Sequence, residues 1–364
     1  MRILVVGGAG YVGSTSVEAF VEDGHHVVVY DNLTSGHAAA VVDGAKLVVG
    51  DISDGALLDL VLREQRIDAV LHCAARSLVG ESMADPGLYY RTNVSGGVAL
   101  LEAMRSAGTS RLVYSSTAAV YGEPRRVPIA EGDRTEPISP YGATKLAFEG
   151  AMRWFAAAHG FRAISLRYFN VAGATERNGE DHRPETHLAP LVLRVAAGEA
   201  NHVQIFGQDY PTPDGTCIRD FLHVRDLASA HMLALEATDD AEPSLEVYNL
   251  GSAAGFSVRE VVEAARRVTG RAIPARVVKR RLGDPPVLVA SSRRARRELG
   301  WQPKHSTLDE MLSDAWNWRA SHPGGYRDRE AAAIEVDGQA GGEAGGPESS
   351  DPGQRPRPSA TVVA

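Results

Sequence analysis

The sequence predicts an α/β fold: a doubly wound parallel sheet with a smaller mixed α/β C-terminal domain. Three observations carry this. Short apolar runs alternate with amphipathic stretches through the first half of the 364 residues. A glycine-rich turn joins the first run to the first amphipathic stretch. After about residue 170 the rhythm changes, loops lengthen and prolines appear.

The runs RILVVG (2–7), HVVVYD (26–31), KLVVG (46–50), DAVLHCA (68–74), RLVYSS (111–116) and AISLRYF (163–169) read as strands. They are rich in Val, Ile, Leu and Tyr and nearly continuous in hydrophobicity, as strands buried on both faces should be. Residues 11–23, 54–65, 86–107 and 140–159 carry helical periodicity. Strands alternating with helices imply a parallel sheet covered on both faces. Helices are predicted later at 187–198, 224–238, 257–268, 291–298 and 307–320, with SVRE (257–260) as a capping box. The expected organisation is a cofactor-binding domain over 1–170, to which some later segments return. A ligand-binding domain over 171–326 and a disordered Gly/Pro/Ser/Glu-rich tail over 327–364 follow.

A net charge of −8 argues against a nucleic-acid-binding body. Two cysteines, Cys73 and Cys217, form neither a disulfide framework nor a metal cluster, which points to a reducing, cytoplasmic setting. No apolar run is long enough to span a membrane, and the N-terminal run fits a buried first strand better than a signal peptide.

Gly7, Gly10 and Gly13, in GGAGYVG, stand between a predicted strand and a predicted helix. Glycines there let the backbone turn tightly and approach a pyrophosphate at the helix N-terminus. Asp31 ends the second strand, where an acid hydrogen-bonds adenosine ribose hydroxyls and repels a 2′-phosphate, so NAD is favoured over NADP. Asp51, in GDIS, falls where a third strand end meets the adenine edge. Ser139 is a good N-cap and Pro140 suits the first helical position of SPYGATK. Tyr141 and Lys145 then lie one turn apart on one helix face. A free tyrosine titrates near 10. A neighbouring ammonium and an oxidised nicotinamide should lower that value and make Tyr141 a base for a secondary alcohol. Thr117, at the end of the fifth strand, can hold the same hydroxyl. His182 and His187 lie five apart with no evident third ligand, so no metal is expected.

The series GGAGYVGS, DNLTSG, GDIS, HCAARSLVGES, YYRTNVSGG, SSTAAVYG, SPYGATK, LRYFNVAGA, IFGQDYPTPDGTCIRDFLHVRDLA, YNLG and GDPPVLVASS resembles the UDP-glucose 4-epimerase family. These are extended short-chain dehydrogenases/reductases on a Rossmann-type sheet. The resemblance covers about residues 1–326. It implies tightly bound NAD, oxidation of a UDP-sugar at C4, rotation of the 4-keto sugar and return of hydride to its opposite face. Cofactor contacts would come from Tyr11, Val12, Asp31, Asn32, Leu33, Thr34, Ser35, Gly36, Asp51, Ile52, Cys73, Ala74, Ala75, Arg76, Ser77, Thr92 and Phe169. Thr117, Tyr141 and Lys145 would carry the chemistry. Asn170, His187, Leu188, Phe206, Arg219, Arg281 and Asp284 would hold the UDP-sugar, the arginines as forked cationic donors for a diphosphate. The family also implies a homodimer, with the 86–107 and 140–159 helices at its interface.

Ser77 and His187 depart from the residues some members carry. So does Leu288, where tyrosine goes with plain hexoses and a smaller residue with N-acetylated ones too. Leu288 therefore suggests that N-acetylhexosamine substrates are accepted. Dehydratases of this scaffold place Asp-Glu after the threonine, whereas Ala118 and Ala119 stand here and cannot transfer protons. Asp31 opposes an NADPH-linked reductase. A non-catalytic NAD sensor is opposed by the retained Tyr141 and Lys145.

Overall fold

A computed structural model describes residues 1–239, 241–281 and 284–326. The first half contains β1 (Arg2–Val6), α1 (Tyr11–Glu22), β2 (His26–Asp31), β3 (Ala45–Val49), α2 (Gly55–Glu64) and β4 (Ala69–His72). It continues with α3 (Val79–Ala84), α4 (Pro86–Tyr89), α5 (Gly97–Ala107), β5 (Arg111–Thr117), α6 (Pro140–His159) and β6 (Arg162–Tyr168). Then come β7 (Asn170–Ala172), α7 (Leu188–Ala196), β8 (Val203–Phe206), β9 (Ile218–Arg219), β10 (Phe221–His223), α8 (Val224–Ala237) and β11 (Ser244–Leu250). The last elements are β12 (Phe256–Ser257), α9 (Val258–Thr269), β13 (Ala275–Val278), β14 (Val287–Leu288), α10 (Arg293–Glu298) and α11 (Leu308–Ser321).

Seven strands form one parallel sheet in the order β11-β6-β5-β4-β1-β2-β3. Successive side chains of a strand point to opposite faces. Ile3 and Val5 accordingly join Val17 and Phe20 of α1 and Leu227 and Leu235 of α8 in one core. Leu4 and Val6 join Leu58 of α2, Met104 of α5 and Phe148 of α6 in another. This two-sided burial is why the predicted strands read as continuous apolar runs. A third core lies between α7, α9 and α11, beside the short sheets β10-β7, β12-β9-β14 and β13-β8. The order reverses at β1: its neighbours are β2 and β4, and the chain after β3 crosses over to β4. The carboxyl ends of β1 and β4 diverge there, opening the crevice in which such sheets bind ligands.

Two differences from the predicted elements matter. The sheet's seventh strand is β11, which pairs with β6 from Ser244 opposite Arg162 to Leu250 opposite Tyr168. With α8 it supplies the segments that return to the first domain. Residues 86–107 are helical, but Tyr90–Gly96 is wound as a π-helix. Gly96 and Gly97 let this stretch press against its neighbours. A Cβ on Gly96 would sit 2.6 Å from Ile52, and one on Gly97 2.5 Å from Phe148. The predicted tail, 327–364, lies outside the described residues.

Candidate active site

The glycine turn sits at the end of β1, in the crevice. Gly7 has φ +82, and a Cβ there would fall 2.3 Å from the Ala74 amide nitrogen. A Cβ on Gly13 would fall 2.1 Å from the Gly7 carbonyl oxygen. Both glycines are therefore required by the chain's own packing. Gly10 differs: its Cβ would meet only the Gly7 oxygen, at 3.6 Å. It is the N-cap of α1 and offers no side-chain acceptor to the first-turn amides. Those orphan N–H groups and the helix dipole face the opening and suit an anion.

The acidic partner is in place. Asp31 is buried, and its carboxylate accepts from the amides of Ala9 (3.0 Å) and Leu33 (2.8 Å). Burial pushes its pKa up while these amides oppose the rise. Leu33 adopts φ 57, left-handed for a non-glycine residue. Asn32 donates to the Asp51 carboxylate at 2.7 Å and accepts from the Thr34 amide at 3.0 Å. Hydrogen bonds from Ser53 and Asn32 hold the Asp51 carboxyl below its usual range. Gly36 packs on Ala9, while Thr34 and Ser35 stay exposed on the rim. Ile52 is buried under Gly96. On the other wall, the segment from Cys73 to Ser77 leaves β4, with Ala74 donating to the Val6 carbonyl at 2.9 Å. An anion cradle and an acid at the neighbouring strand end fit a dinucleotide. The Tyr11 hydroxyl is buried and donates to the Gly173 carbonyl at 2.6 Å.

Ser139 accepts from the Gly142 amide at 3.2 Å and starts α6 with Pro140 at its first turn. The helix carries Tyr141 and Lys145 to the end of β5. Lys145 is buried. Its ammonium donates to the Ser115 carbonyl at 2.8 Å and stands 4.7 Å from the Tyr114 ring centre. Burial pulls its pKa down to about 8, against the opposing pull of Cys73 and Glu149. Tyr141 is hydrogen-bonded to the Thr117 hydroxyl. The protein alone does not lower the Tyr141 pKa. The Tyr141 pKa is raised, because burial outweighs the Thr117 hydrogen bond. In the chain by itself burial decides the direction and favours the neutral phenol.

The second domain brings Phe206, Arg219, Arg281, Asp284 and Leu288 together. Asp284 lies between the two arginines, 3.3 Å from Arg219 and 3.0 Å from Arg281. Arg281 also stacks over Phe206 at 4.8 Å. Leu288 is paired with Arg219 across β14 and β9 and packs on the cluster of Val120, Tyr121, Phe169 and Ala290. Asn170 is exposed at the start of β7, its amide bonded to the Asp220 carbonyl at 3.1 Å. Leu188 packs on the third core.

His187 corrects a second expectation. It does not stand with His182 alone. Glu180, His182, Glu185 and His187 bring one donor atom each to within 4.8 Å of one another. Burial opposes ionisation of Glu180, yet the two histidines hold its pKa at about 2.

Three supporting residues escape a reading of the sequence. Asn93, beside Thr92, accepts from the Arg76 amide (2.8 Å) and donates to the Arg76 carbonyl (3.0 Å) and Thr144 hydroxyl (3.1 Å), tying the 73–77 segment to α6. Its signal is a weak helix former within a predicted helix, and π-wound turns are frequent at functional sites. Asp220 is buried and accepts from Ser252, Ala253 and the Ala290 amide, fixing the segment beyond Leu288. Glu149, one turn beyond Lys145, is buried and accepts from Ser116, Ser165 and Arg167. No sequence spacing announces either acid's partners.

A doubly wound sheet, a dinucleotide crevice and a Thr/Tyr/Lys set at the end of β5 define an NAD-dependent enzyme of the extended short-chain dehydrogenase/reductase class. The profile of the NAD dependent epimerase/dehydratase family matches residues 3–251. A UDP-glucose 4-epimerase of Streptomyces lividans is 53% identical over 329 residues, covering 90% of this chain and 99% of that protein. One of Lacticaseibacillus casei is 50% identical over 331 residues, covering 90% and 100%. A crystal structure of UDP-glucose 4-epimerase superposes with TM-score 0.88 at 49% identity, covering 90% of this chain and 100% of that one. The Brucella ovis enzyme in complex with NAD gives 0.84 at 45% identity, covering 86% and 97%. The chain belongs to the NAD-dependent epimerase/dehydratase family and, within it, to the UDP-glucose 4-epimerases.

Proposed function

We propose that the protein interconverts UDP-galactose and UDP-glucose by transient oxidation at C4, and that the residues assembled above divide the work. The observation that carries this is the meeting of Thr117, Tyr141 and Lys145 at the end of β5. Bound NAD supplies the hydride acceptor and, on return, the hydride donor. Tyr141 would give up its proton more readily with a positively charged ring bound beside it. Tyr141 takes the proton of the C4 hydroxyl and later gives it back. Thr117 orients the Tyr141 oxygen and the substrate hydroxyl. Arg219 and Arg281 exchange Asp284 for the diphosphate and hold it while the 4-keto sugar turns. Gly7, Gly10 and Gly13, the 31–36 segment, Asp51, Ile52, the 73–77 segment, Thr92 and Phe169 line the cofactor.

The test is conversion of UDP-galactose by purified protein without added NAD, with Tyr141→Phe alongside. Turnover by the wild type and a loss of roughly 10²–10⁴-fold in the variant are expected. No turnover on any UDP-hexose, even with NAD supplied, would leave only a nucleotide-binding protein.

Leu288 supports a second substrate class. Its side chain lies against Phe169 and the cluster after Thr117 and brings no ring into the space beside them. A UDP-Glc/GlcNAc 4-epimerase of Campylobacter jejuni superposes with TM-score 0.78 at 37% identity, covering 88% of this chain and 99% of that one. UDP-N-acetylgalactosamine is therefore expected to turn over, and Leu288→Tyr to abolish that reaction while sparing UDP-galactose.

We also propose a cytoplasmic homodimer. Both cysteines are free, and no helix among the described residues is long and apolar enough to cross a membrane. In the two helical stretches expected at the interface, Tyr89 and Met152 are core, while Trp154 is 75% and Tyr90 46% exposed. Trp154→Glu is expected to yield monomers in sedimentation experiments.

A further inference from the structure

The geometry points to a divalent transition-metal site, best matched to Zn²⁺, formed by Glu180, His182, Glu185 and His187. All four residues come from the single loop before α7. Both histidines turn Nδ1 toward the carboxylates. His182 Nδ1 lies 3.1 Å from Glu180 Oε1 and 3.8 Å from Glu185 Oε2. His187 Nδ1 lies 2.8 Å from Glu180 Oε1 and 2.9 Å from Glu185 Oε1. Donors bound to zinc at ~2.0–2.1 Å stand about 3.3 Å apart along a tetrahedron's edges. The histidine–carboxylate distances of 2.8–3.8 Å bracket that spacing, and one donor atom from each residue lies within 4.8 Å of the others.

The donor set also suits the ion. Two imidazoles and two carboxylates are ligands Zn²⁺ prefers, whereas Mg²⁺ and Ca²⁺ favour oxygen alone. The carboxylates are sunk into the protein: the Glu180 and Glu185 side chains are only 9% and 5% exposed. Two buried acids need positive charge beside them. A divalent ion with neutral imidazoles carries the same double positive charge as two protonated histidines, so it can replace their protons and still balance the pair.

The loop is braced from outside the cluster. The Glu185 Oε1 atom accepts from the amides of Thr186 and His187, each at 2.7 Å, which fixes the carboxylate and leaves Oε2 toward His182. Asp181 accepts from the Tyr326 amide at 3.1 Å, and its carbonyl lies 3.0 Å from His37 Nε2. His182 stands edge-on to Tyr11, 6.4 Å between ring centres, at the start of the glycine helix. An ion there would staple the loop between the glycine turn and α7.

The experiment uses untagged full-length protein, stripped of metal with a chelator. Zn²⁺ is titrated in competition with a fluorescent zinc chelator, and bound metal is counted by mass spectrometry. One Zn²⁺ per chain, excess Mg²⁺ failing to displace it, and tetrahedral d–d bands with Co²⁺ are expected. His182→Gln should weaken binding by roughly tenfold or more. The His182 side chain is 24% exposed, against 9% for Glu180, and circular dichroism checks that the variant folds. Glu180→Gln gives a second, independent loss. A wild type that binds no stoichiometric Zn²⁺, leaving only an ion-pair network, overturns the site. So does a folded His182→Gln protein with unchanged stoichiometry and affinity.

Discussion

Removing the Thr117 hydroxyl tests whether that residue tunes the base or merely grips the substrate. Thr117→Val keeps the branched shape and deletes one hydrogen bond to Tyr141, the interaction that opposes the burial-driven rise in the phenol's pKa. A hydrogen bond to a charged group contributes about 1.5–3 kcal/mol, and a pKa unit corresponds to about 1.36 kcal/mol. Losing that bond should therefore raise the Tyr141 pKa further. A base works only when deprotonated, so its pKa sets the acid limb of the kcat profile, and a higher pKa moves that limb toward alkaline pH. At neutral pH kcat should fall about 10–100-fold, and at high pH the variant should approach wild type. The assay is kcat against pH on UDP-galactose, with Thr117→Ser as the variant that restores the limb. An acid limb at its wild-type pH, with kcat lowered equally at every pH, would refute tuning and leave Thr117 a substrate clamp.

Burial of Lys145 has a thermodynamic counterpart. Its folded pKa of about 8 lies below its ordinary 10.5, so the unfolded chain binds more protons between those values and stability rises with pH there. Over pH 8 to 9 this contributes about 1 kcal/mol. Above pH 9 Cys73, pushed up to about 11 by burial, works in the opposite sense. Urea melts of the wild type should show the rise from pH 8 to 9, and Lys145→Met should flatten it. An equal slope in both proteins would assign the rise to other groups. The glycines separate fold from function. Gly13→Ala drives a Cβ into the Gly7 carbonyl and should fail to fold stably. Gly10→Ala has room in the chain itself and should melt within about 1 kcal/mol of wild type, yet co-purify with little NAD. Asn93→Ala strands the Arg76 backbone and should cost about 1–3 kcal/mol, with NAD occupancy falling as the 73–77 segment loosens.

Much of this was legible in the sequence because the physics involved is local. Strands buried on both faces must read as apolar runs, and β1, β2, β4, β5 and β6 do, while β3 is a partly exposed edge strand. Ser139 and Pro140 announce α6, and helical spacing alone puts Tyr141 and Lys145 on one face. Gly7 and Gly13 are marked by backbone contacts that forbid any side chain. What escaped depends on long-range packing. The edge strand β11 arrives from about eighty residues after β6, and its half-buried SLEVYNL competes with loop readings. Desolvation of Tyr141 is a property of its surroundings and has no counterpart in a Y-x-x-x-K spacing.

The 180–187 loop shows where the boundary between the two kinds of information falls. In the sequence, Glu180 and Glu185 are acids in a polar, proline-bearing loop, where exposure is the default for a carboxylate. Once they are buried against two imidazoles, the same letters become a charge pair that requires compensation. The change of meaning comes from Asp181, which the Tyr326 amide and His37 hold on the outer side of the loop. Its neighbours on either side, Glu180 and His182, contribute to the inner cluster. Function in this protein is therefore readable where one helix or one turn sets the geometry. It is hidden where a residue far along the chain decides which way a loop side chain faces.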